Sequence, residues 1–166
     1  MAPPVAAAGA GLAPVIQRDY IDRLIQECAQ ALSRMLRLGR EGHHDEALQV
    51  FGDAADRILG SIRPLVERME PDSAVDFVGR NQLDRLRLYA SLLGQEGLVH
   101  RARGDSARAF LSCRRALELY AAVSLAGVAL DDEDLERIGV LTTLVDLDGV
   151  EPRYREELGR LARPQG

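Results

Sequence analysis

Leu93–Tyr120 reads LGQEGLVHRARGDSARAFLSCRRALELY, two helical stripes separated by a glycine turn. Leu83, Leu86, Ala90, Leu93, Gly97 and His100 share one face at helical spacing, so a long helix is expected from about Gln82 to Ala102. Gly104 suits the left-handed residue that ends such a helix, and Asp105 or Ser106 can cap its successor. That second helix would bury Ala109, Cys113, Ala116, Leu117 and Tyr120. The arrangement occurs twice. Gly42 stands five residues before Ala47 as Gly104 stands five before Ala109, and the stripe Ala47, Phe51, Ala54, Ala55, Ile58 returns as Ala109, Cys113, Ala116, Leu117, Tyr120 at a constant offset of 62. Small residues on one face allow a partner helix to approach closely.

Helical periodicity extends in both directions from this core. A first helix is expected from near Asp19, with Ile21, Leu24, Ile25, Cys28, Leu32 and Met35 on its stripe and Gly42 beyond its end. Residues 61–80 suit two short helices, starting near Pro64 and near Asp72-Ser73. Two more should follow the Asp131-Asp132 cap and Pro152. No segment alternates with period 2 for long, so strands are not expected.

Gly97, the Gly104-Asp105 turn, Ala109 and Ala116 fall where a tetratricopeptide (TPR) unit has its small residues and its turn, and the segment resembles one. Leu93 and His100 stand where that motif usually has tryptophan and tyrosine. Ala47, Phe51 and Ala54 resemble the second helix of the same motif, with Met35 in place of the glycine on the first. Tandem units repeat every ~34 residues, which leaves roughly 28 extra between the two pairs. The resemblance therefore implies a compact all-α bundle of about 6–8 helices containing two TPR-like hairpins, rather than an extended solenoid. From Asp19 onward the chain also resembles a family of small bacterial all-helical proteins without an assigned function. The resemblance rests on Asp19-Tyr20-Ile21, Arg23-Leu24-Ile25, the Gly42/Ala47 turn and Tyr154-Arg155-Glu156.

All 21 basic residues are arginine, which excludes a Schiff-base lysine, a Walker A lysine and a Ser-Lys dyad. A net charge of −5 and 4% aromatic residues disfavour nucleic acid as a partner, since backbone attraction and stacking platforms are both missing. No apolar run reaches the ~20 residues of a membrane span. Cys28 and Cys113 lack any paired spacing, so no zinc or redox motif is expected. The Ala/Pro/Gly-rich residues 1–16 read as a flexible tail without the basic region of a secretory signal, ahead of a single helical domain over 17–163 in a cytoplasmic protein.

Chemical candidates are few. Gly104-Asp105-Ser106 copies a lipase-type nucleophile block, but a serine opening a helix lacks the strand-end exposure that chemistry needs. His43-His44-Asp45 has no fourth ligand at helical spacing, so no metal is expected. His100 and Cys113 form the one conceivable Cys-His dyad, and an interhelical pocket near them is the alternative reading as an enzyme or ligand binder. Residues 85–115 hold seven arginines against Glu96 and Asp105, while 131–151 hold eight acids against Arg137. The two segments could dock on each other, or the basic face could receive an acidic partner. The reading that follows is a non-catalytic interaction module, with no cofactor, for a protein partner or a second copy of itself. The TPR resemblance puts Leu32, Leu36, Ser91, Leu98 and Arg101 along its groove, and Gly42, Ala47, Phe51, Ala54, Gly97, Gly104, Ala109 and Ala116 at its hairpin contacts. Such a groove would suit an amphipathic helix.

Overall fold

The computed structural model describes the chain fully over residues 17–163; the flexible tail expected over 1–16 lies outside these residues. Among the described residues eight α-helices follow one another: α1 (Pro3–Arg40), α2 (His44–Leu59), α3 (Arg63–Arg68), α4 (Pro71–Val78), α5 (Leu83–Ala102), α6 (Ser106–Leu125), α7 (Asp132–Thr142) and α8 (Pro152–Ala162). Short 3-10 turns precede α3, α5 and α8, and no strand occurs among the described residues. The fold is an all-α bundle. One boundary differs from expectation: Asp19 lies inside α1, where its backbone is already helical and cannot occupy a cap.

The two long hairpins, α1–α2 and α5–α6, end their first helices identically. His43 N–H donates to Leu38 O (2.8 Å) and Gly42 N–H to Gly39 O (3.2 Å); 62 residues later Asp105 N–H donates to His100 O (2.9 Å) and Gly104 N–H to Arg101 O (3.1 Å). Both are Schellman closures, and they place Gly42 at φ 79° and Gly104 at φ 87°, where a side chain would be strained. Asp105 then caps α6 by accepting from Arg108 N–H at 3.2 Å.

The 62-residue repeat reaches further than the second helices. Leu24, Cys28, Ala31, Met35 and Leu38 of α1 are buried, and so are Leu86, Ala90, Leu93, Gly97 and His100 at the same offset on α5. Ala47, Phe51, Ala54, Ala55 and Ile58 are buried on α2, as are Ala109, Cys113, Ala116, Leu117 and Tyr120 on α6. At Gly97 a Cβ would stand 2.3 Å from Cys113 Sγ and 3.2 Å from Ala109 O, so α5 and α6 cross in near backbone contact. Met35 fills the corresponding place in the first hairpin and is fully buried.

The pairs stack in order. α5 packs on both α1 and α2, and runs parallel to α1: Gln17 donates to Asn81 O at 3.0 Å, and Cys28 Sγ lies 3.3 Å from Ser91 Oγ. Then α7 packs on α5 and α6, and α8 on α6 and α7, which makes a third helix pair in the stack. The inserted α3 and α4 lie to the side, with α4 against α5 and α6 and buried there through Pro71 and Ala74.

Candidate functional site

A cavity of about 340 Å³ opens where the end of α5, the first half of α6 and the chain just after α7 meet. Ala109, Phe110, Cys113, Leu144 and Val145 give it apolar walls, and Arg101 and Ser106 supply its polar groups. Its origin is a register effect. Arg87 meets Asp134 and Gly94 meets Leu141, both 47 residues apart, so α7 lies parallel to α5. In that register the last residue of α5, Ala102, would face position 149, but α7 ends at Thr142. The chain turns away instead, and Gly149 O accepts from Arg114 at 2.6 Å. About two helical turns are therefore absent from the seam between α7 and the second hairpin.

What holds the closed part of that seam is charge. The Arg87 guanidinium, 8% exposed as a residue, donates to Asp134 Oδ2 at 2.8 Å and to Asp84 at 3.2 Å, and reaches Asp131 at 3.5 Å. Tyr120 O–H donates to Asp134 Oδ1 at 3.0 Å and accepts from Arg137 at 3.3 Å. Burial, together with the Asp134 charge, drives the Tyr120 phenol far above its ordinary range, so it remains a neutral donor. Asp134 also closes the capping box of α7 with Asp131. A carboxylate this well enclosed serves architecture, since all its partners belong to the fold.

The basic segment is consumed in the same way. Arg85 donates to Ile58 O (2.8 Å) and Leu59 O (2.7 Å), Arg115 to Val66 O (2.8 Å), and Arg103 pairs with Asp45 at 2.9 Å. Arg108 pairs with Asp105 (3.5 Å) and Arg114 with Glu118 (3.4 Å). Of the seven, Arg101 alone makes neither ion pair nor hydrogen bond among the described residues, and it is exposed at the cavity.

The groove residues expected from sequence do not line one cavity. Ser91 requires a correction: it is 3% exposed, donates to Leu88 O at 2.6 Å and contacts Cys28, because α1 lies over it. Leu32 and Leu98 are half-buried against the core, and Leu36 is exposed on α1. None of these four lines the cavity; only Arg101 does. Gly97, Ala109 and Ala116 lie at the α5–α6 contact, Ala47, Phe51 and Ala54 on the buried face of α2, and Gly42 and Gly104 in the turns.

The Cys-His pair lacks the chemistry of a dyad. Cys113 is 3% exposed beneath Gly97, and burial pushes its thiol up to about 11, so the nucleophilic thiolate is suppressed. His100 does not line the cavity. Its Nε2 lies 4.0 Å from Glu96 and its buried Nδ1 has no hydrogen-bond partner. No cluster of three His, Cys, Asp or Glu suited to a metal ion occurs among the described residues, and no described helix is long and apolar enough to cross a membrane.

Sequence reasoning missed Phe110, Leu144 and Val145. In the 62-residue repeat Phe110 and Leu111 correspond to Leu48 and Gln49, so only Leu111 departs in kind from the first hairpin, and it lies outside the cavity lining. Comparison with family models, with characterised proteins and with solved structures finds no match, so the site is defined by its own geometry.

Proposed function

We propose that the protein is a non-catalytic interaction module, an adaptor or scaffold whose stacked TPR-like hairpins receive a partner segment. The observation that carries this reading is the open end of the second seam, where exposed Phe110 and an unpaired Arg101 border an apolar cavity. Elsewhere the 85–115 arginine-rich segment is satisfied internally, so within that segment the unused charge lies beside this apolar surface. The buried free thiols of Cys28 and Cys113 suit a reducing compartment such as the bacterial cytoplasm.

Affinity capture of the tagged protein from its own cell lysate, with Phe110→Asp as the paired control, tests the reading. A stoichiometric protein held by the wild type and lost by the variant is the expected result. Recovery of the wild-type protein alone, at low and high salt, would overturn it.

A further inference from the structure

Resting on that reading, we infer that the open end of the second seam is completed by a short amphipathic helix of a partner protein, seated on Phe110 and Leu144 and paired through a carboxylate with Arg101. The first seam shows what belongs in such a place. There α5 runs to the end of α1 and onto the start of α2, where its last turns bury His100 and set Arg103 against Asp45. The second seam lacks these turns, over about seven residues or ~10 Å of helix.

The exposed side chains differ to match. Leu48 is half-buried beneath the closed seam, whereas Phe110, its counterpart, is 39% exposed. An aromatic side chain presented to water at the mouth of an apolar cavity forms a surface that gains by being covered. Charge selects the occupant: Arg101 makes no ion pair among the described residues, so the incoming helix brings Asp or Glu at the rim of its apolar face.

The test is to pan a phage-displayed library of 12-residue peptides against the full-length chain. Enriched sequences are then measured as fluorescein-labelled peptides by anisotropy. Enrichment of apolar residues at i, i+3 or i+4 with an Asp or Glu is expected. Arg101→Glu and Phe110→Asp should each weaken binding by about tenfold, as should Glu-to-Gln exchange in the peptide, while Tyr20→Asp on α1 should leave it unchanged. Both α5–α6 substitutions are at exposed positions, and circular dichroism confirms that the variants fold. Peptides without an acid, or binding unaffected by Arg101→Glu, would overturn the seam inference and leave the wider interaction reading to the lysate capture. Absence of enrichment would overturn it too, as would light scattering that shows this face closing a dimer of the chain.

Discussion

The seam between the first and second hairpins is closed toward its glycine turns and leaves a cavity of about 400 Å³ only at its far end, between residues 17–25 and 81–84, whereas the seam between the second hairpin and α7 is pinned at that far end and open toward the turn. In the first, two helices of matched reach bury a continuous stripe from Leu24 to Leu38 and from Leu86 to His100. In the second, α7 is 11 residues against the 20 of α5, and a buried Arg87–Asp134–Tyr120–Arg137 network does what length does in the first. Shortening one member of the repeated scaffold thus leaves a cavity at the end of its seam.

The largest expected effect lies in the pinned end. Asp134→Ala leaves Arg87 and Arg137 buried without their shared anion, and should cost about 3–5 kcal/mol in a urea melt. Hydrogen exchange should show the loss concentrated in α7 and α8. A loss spread evenly over α1 and α2 would break the distinction between the seams.

Next in size is the hairpin crossing. Gly97→Ala forces a Cβ against Cys113 Sγ and against Cys113 N at 3.1 Å, so it should destabilise by about 1–3 kcal/mol despite the helix propensity of alanine. Cys113→Ala in that background should recover part of the loss. Gly94→Ala meets only the side-chain ends of Leu141 (3.0 Å) and Arg137 (3.2 Å), so its loss should be smaller, and an equal loss would mean that the open-ended seam is packed as rigidly as the hairpin itself.

The smallest effect concerns Glu96, whose first-hairpin counterpart is the exposed Arg34. Burial raises the Glu96 carboxyl above its ordinary range, although Ser112 donates to it at 2.5 Å. The folded state therefore holds this proton more tightly than the unfolded chain. The resulting stabilisation is complete below the ordinary carboxylate range and is lost as pH rises through the raised folded value. Glu96→Gln should accordingly melt slightly above the wild type near neutral pH. The two curves should converge below about pH 4.

Much of the architecture could be read from residues alone, because the 62-residue repeat is written in apolar spacing and in two glycine turns. The α2 and α6 stripes, the Asp105 and Asp131 caps and the helix at Pro152 all follow from local rules. The site was less legible. Register between α7 and α5 is set by Arg87 meeting Asp134, a contact without periodic signature, so a cavity left by missing turns has no trace in one dimension. Ser91 fails for the related reason that a serine beside an apolar stripe looks exposed until a neighbouring helix covers it.

The arginines that reach backbone carbonyls bear on how the chain folds. Arg85 and Arg115 belong to the second hairpin, yet they satisfy the final carbonyls of α2 and α3, which that hairpin follows in sequence. The first half of the chain thus emerges with helix ends whose side-chain partners arrive only with the second hairpin; Val66 O, for one, has Met69 N–H until Arg115 joins it. Despite the repeated design, unfolding should proceed as a single transition rather than repeat by repeat, with neither hairpin persisting once the other is lost.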